Sequence, residues 1–151
     1  MNPTDDIHLQ PIGVIHSPFH DPAETPIQAV RSTAVGQVEV FPQFAAGLQD
    51  IEGFSHIYLI YQFHRCERTE LLVEPYLDDQ KHGIFAVRHP CRPNHLGLSV
   101  VELVGVRGNL LDIRGVDVLD GTPLLDIKPF VPSFDDRQDV HSGWYETRSK
   151  P

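Results

Sequence analysis

Residues 57–63 read Ile-Tyr-Leu-Ile-Tyr-Gln-Phe, and this run of aromatic and β-branched side chains decides the fold class. Such side chains pack well on a pleated surface, so the run predicts a β-strand. Because nearly every position is apolar, we expect a central strand that is buried on both faces. Residues 36–41 instead alternate polar and apolar side chains, which predicts a strand with one buried face.

The rest of the chain divides into short segments of the same kind, because 13 prolines and 11 glycines are spread along it. Further strands are predicted at residues 12–17, 71–75, 84–87, 98–106, 110–113 and 124–128. Residues 44–48, which follow Pro42, are the best helical candidate. About eight strands with one or two short helices predict an all-β fold, either an antiparallel barrel or a sandwich.

Length and charge limit the classes of function. The chain has 151 residues, with 12 Lys and Arg against 21 Asp and Glu, which gives a net charge of −9. This is the length of one domain, which we place at residues 1–132, followed by a polar C-terminal tail at residues 133–151. No signal peptide or bilayer-spanning apolar run is found, so we expect a soluble, cytoplasmic protein with no membrane partner. The acidic balance argues against nucleic-acid binding by bulk charge.

Metal and thiol chemistry have little support in the sequence. Cys66 and Cys91 are too few for a disulfide framework, and nothing favours them as a catalytic thiol pair. The nine histidines show none of the usual metal-ligand spacings, neither CxxC nor HExxH, so no metal site is expected. A nucleophile elbow of the form Gly-x-Ser-x-Gly is absent as well.

Residues 88–95 read Arg-His-Pro-Cys-Arg-Pro-Asn-His and are the first candidate for a binding loop. The two prolines restrict the residues before them to extended conformations, which helps to orient the side chains of the loop. Arg88 and Arg92 therefore suit the bidentate binding of a carboxylate or a phosphate. The alternative is that both arginines pair with acidic residues on a solvated face.

Two other places combine polar side chains with strand ends. Residues 117–123 read Asp-Val-Leu-Asp-Gly-Thr-Pro, where the carboxylates of Asp117 and Asp120 could hold ribose hydroxyls or offset a cation. The other interpretation is an ordinary hairpin turn in which an aspartate caps its own backbone. His64 follows the apolar run and could transfer a proton near neutral pH, although a histidine at a strand end is more often structural.

Several motifs together resemble one known family. They are residues 12–19 (IGVIHSPF), 53–58 (GFSHIY), 83–88 (GIFAVR), 92–94 (RPN), 97–99 (GLS) and 120–130 (DGTPLLDIKPF). In this order and with this spacing, they resemble the TsaA-like family, which includes the TrmO-type tRNA adenine N6-methyltransferases. The resemblance extends over residues 12–132.

The resemblance implies a small antiparallel β-barrel that works as a homodimer and binds S-adenosyl-L-methionine. It also implies tRNA as the partner, because characterised members methylate the exocyclic nitrogen of threonylcarbamoyl-adenosine beside the anticodon. The implied cofactor-binding residues are Gln28, Ala29, Val30, Arg31, His64, Arg65, Arg88, Leu98, Asp117 and Asp120. The implied substrate-binding residues are Arg92, Asn94 and Lys128, and the candidates for the catalytic group are His64 and Asp120.

The sequence also keeps two other functions open. It has Pro-Ile-Gln at residues 26–28, where family members often have Pro-Arg-Gln, and Cys91 replaces an aromatic residue that commonly precedes Arg-Pro-Asn. With the acidic charge, these changes keep as alternatives a small-molecule methyltransferase and a non-catalytic module that binds S-adenosyl-L-methionine. A basic stripe around one cleft would favour tRNA, and its members would be Arg31, Arg65, Arg88, Arg92 and Lys128.

Overall fold

The computed structural model describes residues 2–28 and 32–148, and within them it contains eight β-strands. The strands are β1 (Gly13–His16), β2 (Val35–Val40), β3 (His56–Gln62), β4 (Leu72–Val73), β5 (His82–Gly83), β6 (Leu96–Arg107), β7 (Leu110–Arg114) and β8 (Thr122–Pro129). The helices are short: α1 (Pro132–Asp135), α2 (Tyr145–Arg148) and 3-10 turns at Pro22–Glu24, Pro42–Leu48, Ile51–Gly53 and Ile84–Ala86. The all-β prediction is confirmed, although short helical turns are more frequent than the one or two expected.

Six of the strands close an antiparallel barrel in the order β1-β2-β7-β6-β3-β8. Strand β8 completes the closure, because it pairs antiparallel with β1 along one side and with β3 along the other. The predicted barrel is therefore confirmed, although six strands form it instead of about eight. Strands β4 and β5 pair only with each other and form a separate two-stranded sheet.

The barrel interior is filled by alternate side chains of its strands, because successive residues of a strand point to opposite faces. Ile15, Val38, Leu111 and Leu124, from four different strands, are each fully buried. Strand β3 alternates in the same way, since its burial runs exposed, buried, half-buried, buried, half-buried, buried and exposed. The expectation that residues 57–63 are buried on both faces is wrong, because a barrel strand has one face inside and one outside.

Two glycines are required by the backbone around β1. A Cβ added at Gly13 would lie 2.0 Å from the carbonyl oxygen of Glu39 on the paired strand β2, so only glycine allows this approach. Gly121 has a φ of 80° at the turn that enters β8. Gly121 is thus a left-handed turn residue. The hairpin interpretation of the Asp120-Gly121 stretch is wrong, because β7 and β8 are not neighbours in the barrel and Asp120 accepts from the distant N–H of Ser17.

The residue contacts divide the chain into two compact units. The barrel unit comprises Met1–Gln62 and Leu98–Phe130, and the second unit comprises Phe63–Gly97 and Val131–Pro151. By sequence, the barrel unit has twelve acidic against four basic residues, and the second unit has nine against eight. The net negative charge therefore resides almost entirely in the barrel unit. The domain boundary placed at residue 132 stays a prediction.

The second unit has a small core of its own. Val73, Ile84 and Val87 are buried together, and Trp144 packs against them. Residues 84–87, predicted as a strand, instead form a 3-10 turn at Ile84–Ala86 that leaves Phe85 and Ala86 exposed. A disulfide between Cys66 and Cys91 closes this unit, a pairing that the sequence analysis did not predict. Among the residues that the structure describes, no helix is long and apolar enough to cross a lipid bilayer.

Candidate functional site

The predicted site residues are distributed over both units. The barrel unit contains Gln28, Leu98, Asp117, Asp120 and Lys128, and the second unit contains His64, Arg65, Arg88, Arg92 and Asn94. The predicted carboxylates thus belong to the barrel unit, and the described predicted arginines to the second. Ala29, Val30 and Arg31 lie outside the described residues.

Asp120 connects the end of β1 to the loop between β7 and β8. Its Oδ1 accepts a hydrogen bond from the backbone N–H of Ser17 at 3.0 Å, and its own N–H donates to the carbonyl of Phe19 at 2.8 Å. The Nδ1 atoms of His16 and His20 lie 3.7 and 3.8 Å from its two carboxylate oxygens. The carboxylate is 35% exposed. Asp120 therefore braces the fold and still presents an oxygen that can accept a hydrogen bond from a ligand hydroxyl.

Asp117 is buried in a short chain of polar groups inside the barrel unit. The hydroxyl of Ser99 donates to its Oδ1 at 2.6 Å, and the hydroxyl of Tyr61 lies 2.8 Å from that of Ser99. Because Ser99 gives its only proton to Asp117, Tyr61 donates to Ser99 in turn. A buried carboxylate needs such donors to offset its lost hydration. These bonds tie the loop between β7 and β8 to strands β3 and β6.

Two serine hydroxyls hold the same loop from outside. Ser17 donates to the carbonyl of Val118 and Ser32 to the carbonyl of Val116, both at 2.6 Å. Each hydroxyl also accepts the N–H of the residue two positions later, at 3.2 Å, which is a serine turn. Sequence reasoning missed both serines. No local pattern around either serine could have identified it.

The other predicted residues of the barrel unit lie at its surface. Leu98 is 49% exposed on β6, Gln28 is half-buried, and the ammonium of Lys128 lies 3.3 Å from the carboxylate of Asp126. The remaining basic residues of this unit that the structure describes are ion-paired as well, Arg107 with Asp112 and Arg114 with Glu102. The basic stripe proposed from the sequence is therefore neutralised at Lys128.

In the second unit, residues 88–95 form a loop that we call the arginine loop, and hydrogen bonds to backbone carbonyls hold it in place. The Nη1 of Arg92 donates to the carbonyl of Val87 at 2.8 Å, and the backbone of His95 has a φ of 49°. That left-handed conformation turns the loop back, so that the carbonyl of His95 accepts from the N–H of Phe63 at 2.7 Å. Arg88 and Asn94 are exposed at the two ends of the loop.

The disulfide joins the arginine loop to the segment that follows β3. Cys66 lies directly after His64 and Arg65, which are exposed, and Cys91 lies between Arg88 and Arg92. The two segments also share a backbone hydrogen bond, in which the N–H of Glu70 donates to the carbonyl of Cys91 at 2.9 Å. This crosslink brings the four predicted basic and imidazole groups of the second unit onto two connected segments.

His89 is the titratable group of this loop with a changed proton affinity. The pKa of His89 is lowered, mainly because partial burial disfavours the charged imidazolium. The negative charge of Glu70 raises this pKa, whereas the positive charges of Arg68 and Arg92 lower it further. The Nδ1 of His89 also accepts the N–H of Cys91 at 3.2 Å. His89 is therefore a neutral hydrogen-bond acceptor near pH 7, and that nitrogen is occupied within the loop.

Each of the two units has a surface cavity. A cavity of about 310 Å³ in the barrel unit is lined by His16, Ser17, Val35, Gly36, Gln37 and Asp112. The pKa of Asp112 is lowered, first by its hydrogen bond from Arg107 and next by that from Gln37, so its carboxylate stays ionised as the partner of Arg107. A cavity of about 370 Å³ in the second unit has an aromatic lining. Within the described part of the chain, no three His, Cys, Asp or Glu side chains converge as metal ligands.

Comparison with known proteins gives consistent results for the whole barrel. The family described as the tRNA-methyltransferase O N-terminal domain matches residues 14–136. A probable S-adenosyl-L-methionine-binding protein of Pyrococcus abyssi is 61% identical over 141 residues, which cover 93% of this chain and 77% of that protein. The tRNA (adenine(37)-N6)-methyltransferase of Mus musculus is 32% identical over 151 residues, covering 93% of this chain and 35% of the mouse protein.

A solved structure agrees with these sequence relatives. The crystal structure of TrmO from Pseudomonas aeruginosa superposes with a TM-score of 0.78 at 36% identity, covering 94% of this chain. The present chain spans 62% of that chain, so the two share the barrel but not their full length. The family match and the 61% identical relative confirm the resemblance inferred from the motifs, and the chain belongs to the tRNA-methyltransferase O N-terminal-domain family.

Proposed function

We propose that this protein is an S-adenosyl-L-methionine-dependent methyltransferase that methylates N6 of an adenine in tRNA. The family match carries the proposal, because residues 14–136 include the barrel, the Asp120 turn and the arginine loop. The mouse relative is named for this reaction at adenine 37, and the Pyrococcus relative for binding the cofactor. We further propose that the protein acts as a homodimer in the cytoplasm, where tRNA is available.

The side chains present fit the parts of the cofactor. Its ribose hydroxyls need hydrogen-bond acceptors, and Asp120 presents a partly exposed carboxylate. Its carboxylate needs donors, and Arg88 presents a guanidinium at the surface of the second unit. Its sulfonium cation is favoured by the negative charge of the barrel unit. When bound, the cofactor supplies a methyl group on a positively charged sulfur.

Orientation is the main contribution of the protein to the rate. Methyl transfer requires the acceptor nitrogen, the methyl carbon and the sulfur to lie nearly in line. A site that holds both reactants rigidly in this arrangement therefore gives the largest rate increase. The loop that bears Asp120 suits this role, because Ser17, Ser32 and the buried Asp117 all fix it before any ligand arrives. Little conformational entropy then remains to be lost on binding.

Threonylcarbamoyl-adenosine is the acceptor we propose, beside the anticodon. Its carbamoyl group withdraws electrons from N6, so the proton on that nitrogen leaves more readily and a modest base suffices. His64 and Asp120 are the proposed bases. The bound cofactor would supply the methyl group, and its sulfur would keep the electron pair of the broken carbon–sulfur bond. The N6 proton would pass to the imidazole nitrogen of His64 or to the carboxylate oxygen of Asp120.

The deciding experiment uses methyl-labelled cofactor and two preparations of one tRNA, with and without the threonylcarbamoyl group. Label recovered in methylated threonylcarbamoyl-adenosine, and absent from the unmodified control, supports the full proposal. Equal labelling of adenine in both preparations keeps the tRNA methyltransferase and rejects the threonylcarbamoyl substrate. Binding of the cofactor without labelling of either tRNA rejects the tRNA proposal.

A small-molecule acceptor is the second candidate function, and the charge of the barrel unit favours it. Its described basic residues, Arg107, Arg114 and Lys128, are all ion-paired, and acidic residues outnumber basic ones three to one in that unit. Such a surface repels phosphates. Under this alternative, label from the cofactor appears in low-molecular-weight products of a cell extract and not in the RNA fraction.

A further inference from the structure

The cavity of the second unit has an aromatic wall that the site described above does not use. It has a volume of about 370 Å³ and is lined by Phe85, Ala86, Val87, Arg88, Ser142, Gly143, Trp144 and Tyr145. This volume lies within the range of ligand-binding pockets in proteins, about 300–1,000 Å³. Three of its eight lining residues are aromatic, which suits a flat, apolar ligand group.

The aromatic rings are held in place by contacts on several sides. The indole N–H of Trp144 donates to the carbonyl of Ala86 at 2.8 Å. The indole also stacks on His82 at a centroid distance of 4.3 Å and on Tyr145 at 3.9 Å. His82 is itself fixed by Asp78, whose carboxylate lies 2.7 Å from its Nε2. The rings are therefore positioned before a ligand binds. A ligand that packs against them costs little side-chain conformational entropy.

Phe85 stands at the same cavity with 79% of its surface exposed. It has no place in the small core, because the 3-10 turn buries Ile84 and directs Phe85 outward. A large exposed aromatic beside other aromatic residues is typical of a surface that a partner covers. Proteins that bind unpaired RNA stack its bases on such side chains.

Charge also favours the second unit as the RNA-facing surface. The barrel unit has an excess of eight acidic residues by sequence, whereas the second unit has an excess of one. A phosphate backbone is therefore repelled far less by the second unit.

We propose that this cavity binds an unpaired base of the RNA substrate by stacking on Phe85 and Tyr145, next to Trp144. The inference rests on the proposed function, because it takes the acceptor to be RNA. It adds a contact outside the methyl-transfer site and assigns a role to residues 142–145 of the C-terminal segment.

The test uses the intrinsic fluorescence of Trp144, the only tryptophan of the chain. The 151-residue protein is titrated with an anticodon stem-loop RNA and, separately, with a blunt RNA duplex of the same length. We expect the stem-loop to quench the fluorescence and the duplex to leave it unchanged. Phe85→Ala should weaken stem-loop binding about tenfold, equivalent to about 1.4 kcal/mol and within the range for base stacking on an aromatic residue.

The matched control is Tyr76→Ala, which removes an aromatic residue of the same unit that is 87% exposed and outside the cavity. Its affinity for the stem-loop should equal that of the unaltered protein. Equal affinities for the Phe85 and Tyr76 variants, without quenching, would overturn the proposal. Quenching by S-adenosyl-L-methionine alone, with weaker cofactor binding by Phe85→Ala, would overturn it too, because the cavity would then belong to the cofactor.

Methyl transfer is measured on the same samples, which separates the two proposals. Stem-loop binding that depends on Phe85 without any methyl transfer supports the base-binding cavity and contradicts the proposed function. Methyl transfer to RNA with unchanged affinity in the Phe85 variant supports the proposed function and contradicts the cavity. Urea midpoints of both variants should match the unaltered protein, since both side chains are exposed.

Discussion

Reduction of the Cys66–Cys91 disulfide should destabilise the second unit and weaken its ligand binding together. The bond closes a loop with a sequence separation of 25. In the chain-entropy description, a loop of that length restricts the unfolded chain by the equivalent of about 3.5 kcal/mol at 25 °C. The small core of this unit consists of a few side chains. A loss of that size is therefore a large share of its free energy of unfolding, which is about 5–15 kcal/mol for typical proteins.

The measurement is guanidinium-induced unfolding with and without a thiol reductant, followed by Trp144 fluorescence. The control is the double variant Cys66→Ala/Cys91→Ala, which should show the reduced stability under both conditions. Cofactor affinity should fall on reduction, because Arg65, Arg88 and the segments that bear them lose their crosslink. If the reductant shifts the midpoint of the unaltered protein no more than that of the double variant, the reasoning from loop closure is refuted.

Three further predictions concern single residues. Arg88→Ala should weaken binding of S-adenosyl-L-methionine by about 1.5–3 kcal/mol, the value of a hydrogen bond to a charged group; calorimetry should show no change for the exposed control Lys81→Ala, and equal affinities would remove Arg88 from the site. Gly13→Ala should destabilise the barrel by about 3 kcal/mol, because its Cβ would overlap a carbonyl oxygen of the paired strand. The control Gly47→Ala should cost little stability, because its Cβ meets no atom within 4 Å. Similar urea midpoints for the two variants would contradict the close approach at Gly13. Stability should fall as the pH drops below about 6.5, because the pKa of His89 is lower in the folded protein and the unfolded chain therefore binds the proton first. His89→Asn should reduce the loss of stability between pH 7.5 and 5. An unchanged dependence of the free energy of unfolding on pH would exclude His89 as its cause.

The strands were predictable because their signal is local. The alternation of residues 36–41 and 98–106 follows from one buried face. Strand β2 includes residues 36–40 of the first run, and strand β6 includes the whole of the second. The number of strands in the barrel was not predictable, since closure depends on pairings between distant segments such as β1 and β8. The two-residue strands β4 and β5 are too short to show a period.

Residues 84–87 show why a short apolar run is ambiguous. Four apolar residues fit a strand, but only Ile84 and Val87 are buried, three positions apart. That spacing is the period of a 3-10 turn, and four residues are too few to separate it from a strand without the flanking structure. The same turn places Phe85 outward, an orientation that no local pattern of residues predicts.

The candidate site was predictable in its residue types and not in its internal contacts. The Asp120 turn and the arginine loop were found because glycine and proline mark them in the sequence. The hydrogen bonds of Ser17, Ser99 and Tyr61 join residues that are 18 or more positions apart, and the disulfide joins two more segments. Such contacts follow from the closed fold, so no local pattern announces them.

The closure of the barrel also limits how two copies of this chain can associate. Each of the six barrel strands has a hydrogen-bonded neighbour on both sides, so the ring offers no open backbone edge onto which a strand of another molecule could add. A homodimer formed through the barrel would therefore be held by side chains rather than by a shared sheet. Its strength should then respond to point substitutions on the outer surface, and it should dissociate without any barrel strand having to unpair.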